Sequence, residues 1–255
     1  MGPFVSRVVF TPPEPSYLID HKSFHTIRNP EDLHDIPIVT VTHKKPRMAI
    51  LYSHGNAEDL GLVHKWCEVL SLKFHASVYS YDYRGYGPQA GSATERNVFS
   101  DITAVVEYMK KFHAVEDIVF FGRSLGCAPS IKAASLYPRT KALILESPFL
   151  TCVKTVVNTS WTFWFDMFCN EKTIKECHQP TLIIHGTRDT VVPFAHGQRL
   201  LELCPNATDH LWLAGAGHND IDTTFRADLF QKCLQFMENV GPAPTLLRKR
   251  PLTSE

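Results

Sequence analysis

Gly122-Arg123-Ser124-Leu125-Gly126 sets a serine midway between two glycines. Two further residues follow in chain order: Asp189, closing Ile183-Ile184-His185-Gly186-Thr187-Arg188-Asp189, and His218, within Gly215-Ala216-Gly217-His218-Asn219-Asp220. A serine hydroxyl attacks acyl carbon when a histidine removes its proton and a carboxylate orients that histidine. Ser, then Asp, then His is the chain order of a strand–elbow–helix hydrolase. In such an elbow the residues two before and two after the serine need to be glycine, because the turn has no room for their side chains. The pentapeptide alone is weak, and its meaning rests on the elements around it.

Those elements alternate. Ile118-Val119-Phe120-Phe121 is an apolar run that reads as a buried strand, and a small-residue helix follows from Leu125 to about Leu136. Strands are also expected at His25–Ile27 and Ile36–Thr42, both at a sheet edge. Further strands are expected at Met48–Tyr52, Ser77–Tyr81, Ala142–Leu145, Thr181–His185 and His210–Leu213. Helical segments are expected before Leu72, after a Ser92-x-x-Glu95 capping box, at His196–Cys204 and at Phe225–Met237. The alternation predicts an α/β fold, a mostly parallel sheet of about eight strands flanked by helices, and the elbow within it points to the α/β-hydrolase architecture with a small cap segment. Asp189 and His218 then each lie just past a strand, at the carboxyl edge of the sheet with Ser124.

Other residues compete for these roles. Glu146 ends the strand after the elbow, where a hydrolase acid can also stand. Cys127 lies on the wrong side of the turn to replace Ser124. His54, His185, Asp82 and Arg84 read as structural, and the Arg123 side chain is expected to point away. The oxyanion hole is expected from the backbone N–H groups of Leu125 and Asn56. Trp161, Trp164, Phe165 and Phe168 fall between two strands and suggest an acyl-chain contact surface or, alternatively, core.

The domain reading is an extended proline-rich lead-in over 1–20, a hydrolase domain over 21–240 with a cap at 147–179, and a disordered basic tail over 241–255. Lys+Arg and Asp+Glu are equal at 26 each, so no overall field favours nucleic acid. The seven cysteines lack metal-finger spacing, and a reduced interior is expected. No signal peptide or bilayer-length apolar run is read. Met1-Gly2-Pro3-Phe4-Val5-Ser6 fits the bare myristoylation pattern, although the proline is a poor fit to it.

The chain resembles the α/β-hydrolase domain-containing protein 17 family, serine hydrolases that remove palmitate from cysteines of membrane-associated proteins. The resemblance rests on SHGNAEDLG at Ser53–Gly61, YDYRGYG at Tyr81–Gly87, LIIHGTRD at Leu182–Asp189 and LWLAGAGHNDI at Leu211–Ile221. It implies Ser124 as nucleophile, Asp189 as acid, His218 as base, S-acylated proteins as substrates and no metal or organic cofactor. The family's elbow is usually GQSIG where this chain has GRSLG, and its cysteine-rich acylated leader has no counterpart before Cys67. The expected protein is therefore a monomeric, cytoplasmic thioesterase with weak peripheral membrane contact. The rival functions are a carboxylesterase or lysophospholipase acting on lipid-like esters, and a non-catalytic scaffold.

Overall fold

The structure is a computed structural model and describes residues 9–20, 22–156 and 166–241. Eight strands form one sheet: β1 (Phe24–Arg28), β2 (Asp35–Val41), β3 (Met48–Ser53), β4 (Ala76–Tyr81), β5 (Ile118–Arg123), β6 (Ala142–Glu146), β7 (Thr181–Gly186) and β8 (Ala207–Leu213). Their order is β1-β2-β4-β3-β5-β6-β7-β8. β2 pairs antiparallel with β1 and β4, and every other pairing is parallel.

The central strands are apolar on both faces because helices cover both. α1 (Leu60–Phe74) and α7 (Arg226–Val240) pack on one face, where Ile50, Val119, Phe121, Ile144 and Ile184 point. α2 (Glu95–Met109), α3 (Cys127–Leu136) and α6 (Phe194–Leu203) pack on the other, against Leu51, Phe120, Leu143, Leu145 and Ile183. The period-2 alternation along β3, β5, β6 and β7 thus feeds two separate cores. Between β6 and β7 the chain forms α4 (Cys152–Val156) and α5 (Asn170–Thr173).

Three local expectations need correction. β2 is not at a sheet edge, because it pairs on both sides, with β1 and with β4. The cap of α2 is Thr94, whose side chain accepts the Asn97 N–H at 3.2 Å, and Ser92 stays exposed outside the helix. Glu95 therefore sits at the first helical position, and its carboxylate accepts the Phe168 N–H at 2.7 Å instead of closing a capping box. β8 starts at Ala207, ahead of the expected His210. It is an edge strand with polar residues on its open side, so its first half carries no apolar signal.

Candidate active site

β5 delivers Ser124 to a tight turn. The serine takes φ +50, a left-handed conformation that costs a side-chain-bearing residue about 1–2 kcal/mol. The glycines permit the turn. A Cβ on Gly122 would lie 2.7 Å from Cys127 Cα, and one on Gly126 would collide with the Ser53 carbonyl. Strand β3 therefore approaches the elbow so closely that only glycine fits beneath it.

β7 and β8 deliver the partners. His218 Nε2 lies 2.9 Å from Ser124 Oγ, and His218 Nδ1 lies 2.7 Å from Asp189 Oδ2. An ionised carboxylate only accepts, so Nδ1 carries the proton and Nε2 is free to accept from the serine hydroxyl. Asp189 Oδ1 accepts the N–H groups of Val191 (2.9 Å) and Val192 (2.8 Å). Burial works against the charge on Asp189, but hydrogen bonds from His185 and His218, the charge of His218 and the Val192 N–H together hold it well below the usual carboxylate range.

The competitors occupy other roles. Glu146 is buried at the end of β6, 3.3 Å from Arg123 Nε. Cys127 is buried, and its thiol donates to the carbonyls of Gly122 (3.2 Å) and Glu146 (3.3 Å). Burial pushes that thiol well above its ordinary range, so it supplies no thiolate. His185 is buried beneath α6 with Nε2 3.0 Å from the Val192 carbonyl. His54 is buried between the Gly55 carbonyl (2.8 Å) and Asp82 (3.2 Å). Arg84 is clamped by Asp101 and Asp32.

Arg123 does not point away. Its guanidinium reaches Glu58 on the loop after β3 (2.5 Å), Glu146 on β6 and Asn219 beside His218 (3.1 Å). It thereby ties three strand ends together, and it is over nine-tenths buried. The expectation that it points away is therefore corrected: three partners at neighbouring strand ends draw it inward.

Ser124 and His218 face a cavity of about 710 Å³. Leu125 and Asn56 line it beside the serine, and Val9, Phe149, Cys152, Val191 and Val192 supply apolar wall. Phe149 and Cys152 were missed from the sequence, although their place just past β6 marks them as carboxyl-edge residues. Val9 and Thr11 come from the lead-in, which gave no such signal. Phe168 is a correction: it is fully buried in an aromatic cluster with Phe99 (5.5 Å), Phe10 (5.9 Å) and Phe149 (6.4 Å), and does not line the cavity. Trp161, Trp164 and Phe165 lie outside the described residues. Among the described residues no three His, Cys, Asp or Glu side chains come together to hold a metal ion, and no helix is long and apolar enough to cross a membrane.

The family described as serine aminopeptidase, S33, matches residues 44–175. The chain is 34% identical over 244 residues to α/β-hydrolase domain-containing protein aho-3 of Caenorhabditis elegans, covering 86% of this chain and 73% of that one. It is 32% identical over 251 residues to the human α/β-hydrolase domain-containing protein 17B, covering 87% and 86%. With protein 17C of Xenopus tropicalis it shares 37% over 199 residues, which span 77% of this chain but slightly under two thirds, 63%, of the relative. Among solved structures, Pyrococcus furiosus esterase Pf2001 superposes with TM-score 0.68 at 18% identity, covering 90% of this chain and 98% of that one. Est1E of Butyrivibrio proteoclasticus superposes with TM-score 0.66 at 20% identity, covering 85% and 100%. At these identities the two esterases attest the fold alone.

Proposed function

Because the chain belongs to the α/β-hydrolase domain-containing protein 17 family, and so to the hydrolases of this fold, we propose that it cleaves long-chain acyl thioesters, palmitoyl groups on protein cysteines above all. Ser124 Oγ attacks the thioester carbonyl carbon as its proton passes to His218 Nε2. Asp189 holds the imidazole in the productive tautomer and stabilises the imidazolium. The carbonyl oxygen becomes negative facing the N–H groups of Leu125 and Asn56. Collapse breaks the carbon–sulfur bond, and the departing cysteine takes the proton from His218. Water, deprotonated by His218, then attacks the acyl-enzyme, and the fatty acid leaves Ser124.

The observation that carries this reading is the continuous Ser124–His218–Asp189 relay, at 2.9 Å and 2.7 Å, opening into a cavity with an apolar wall. A palmitoyl chain rewards such a wall, since each buried CH₂ contributes about 0.8 kcal/mol. Trp161, Trp164 and Phe165 belong to this reading as further acyl contacts beyond the wall built by Phe149 and Val192.

A fluorophosphonate probe combined with an acyl-chain panel tests it. Wild-type protein is expected to be labelled, and to hydrolyse palmitoyl thioesters with higher kcat/KM than acetyl thioesters and than palmitoyl oxyesters. Ser124→Ala abolishes both labelling and turnover. Trp164→Ala narrows the chain-length preference while sparing acetyl turnover. Retained activity in Ser124→Ala refutes the nucleophile. A preference for oxyesters moves the function to the esterases.

A further inference from the structure

The proline-rich lead-in does not run free of the domain. Phe10 and Tyr17 are buried, and from Val9 to Tyr17 the chain is fastened at three points, two on the loop after β3 and one on Asp82 just past β4. At the first, the Thr11 N–H donates to Asn56 Oδ1 (3.0 Å) while Asn56 Nδ2 donates to the Val9 carbonyl (2.7 Å). Tyr86 adds its hydroxyl to the same Oδ1 (2.5 Å). At the second, the Ser16 N–H donates to Asp59 Oδ2 (2.7 Å) and the Ser16 hydroxyl to Oδ1, on the residue whose Oδ1 also caps α1 through Leu62 N–H (3.1 Å). At the third, the Tyr17 hydroxyl donates to Asp82 Oδ2 (2.6 Å), and Asp82 Oδ1 accepts the Leu60 N–H (3.0 Å).

The first two contacts fall on residues 56–59, the first of them on Asn56 itself, and the third reaches the same segment through Asp82, which holds the Leu60 N–H. Both acceptor positions of its amide oxygen and one amide hydrogen are used, so the side chain cannot reorient without breaking three bonds. Val9 and Thr11 meanwhile form part of the cavity wall that Ser124 faces.

We propose that residues Val9–Tyr17 are a positioning strap for the active site: by gripping the Asn56 amide they fix the backbone N–H of Asn56 against the oxyanion that forms at Ser124. The proposal rests on the reading of Asn56 as the second oxyanion donor. A donor contributes in proportion to how well it is held before charge develops. Loosening the strap therefore weakens transition-state binding and leaves ground-state binding almost untouched.

The test uses the full chain and a short p-nitrophenyl ester, so that acyl-chain preference does not enter. Active sites are titrated with fluorophosphonate, and kcat is expressed per titrated site. Asn56→Ala keeps the backbone N–H but loses all three side-chain bonds. It is expected to lower kcat on the order of 10²-fold with KM within about twofold. It also weakens by a similar factor a boronic acid that forms a tetrahedral adduct on Ser124. Thr11→Pro, which removes the donating N–H and also fixes the backbone at that point, lowers kcat by about tenfold. Thr11→Ala retains that N–H and is expected to lower kcat less than Thr11→Pro does. Tyr86→Phe is the mild variant that tests the third bond where the others fold poorly. Wild-type kcat and boronate affinity per titrated site in Asn56→Ala and Tyr86→Phe, with only the melting temperature lowered, overturn the proposal and leave the strap as scaffolding. Undiminished activity in Ser124→Ala overturns instead the reading of Ser124 as nucleophile, on which any oxyanion at this site depends.

Discussion

Asp189 and Glu146 end neighbouring strands at the carboxyl edge of the sheet, and their surroundings drive them in opposite directions. Asp189 receives two backbone N–H groups and His218, so it stays ionised. Asp189→Asn is expected to cut turnover by about 10⁴-fold, because the amide favours the wrong imidazole tautomer, whereas Glu146→Gln costs far less. Steady-state kinetics on the two purified variants decides, and the reverse ranking moves the acid to β6. Burial pushes the Glu146 carboxyl up to about 7; Arg123 opposes this but is shared with Glu58, and the charges of Asp222 and Glu58 add to the rise. A carboxyl whose folded pKa is raised favours the folded state at low pH, and that contribution is lost as pH rises from its ordinary 4.5 to about 7. Glu146→Gln is therefore expected to flatten the fall in melting temperature across that window. An unchanged pH slope in the variant contradicts the assigned burial effect.

At the scale of elements, the elbow is a packing problem between β3, β5 and α3. Gly126 and Gly215 separate the two reasons a glycine is needed. Gly126 has ordinary φ but no room, since its Cβ would enter the Ser53 carbonyl. Gly215 has open space around it but φ +81. Gly215→Ala is expected to cost about 1–2 kcal/mol through backbone strain alone. Gly126→Ala forces β3 and the elbow apart, costs more than that and disrupts Ser124. Chemical denaturation of both variants checks the order; equal costs show that β3 yields easily. Arg123 acts across the same elements, joining the ends of β3 and β6 to the loop after β8. The turn at Ser124 is thus braced by charge as well as by shape.

For the molecule as a whole, charge is balanced and all seven cysteines are unpaired. Arg248, Lys249 and Arg250, outside the described residues, form a basic cluster near one end of the sequence. Each contributes about 1 kcal/mol at an anionic surface, and salt screens it. The 255-residue chain is expected to bind phosphatidylserine vesicles weakly and to be released by high salt. Vesicle sedimentation with and without salt measures this. Retention through a salt wash requires a different anchor, such as acylation at Gly2.

Much of the active edge is legible in the sequence because it rests on local signals. Gly122 and Gly126 around Ser124 are demanded by one turn, and the apolar runs leading into Gly122 and Gly186 are demanded by strands buried on both faces, while the edge strand before Gly215 is apolar only towards its end. Together they put Ser124, Asp189 and His218 at one sheet edge in a predictable order. The tertiary structure decided where neighbouring side chains turned. Phe168 went into the core because Phe10, Phe99 and Phe149 surround it, although its place in the chain equally allowed a groove. Thr94, not Ser92, caps α2, which leaves the Glu95 carboxylate to accept the distant Phe168 N–H. Arg123 turned inward because carboxylates from two other strand ends converge on it, and Asn219, its third partner, is 96 residues away. The lead-in became active-site wall through Asn56, 45 residues distant from Thr11. No periodicity encodes contacts of that range. They exist only once the sheet has brought its strand ends together.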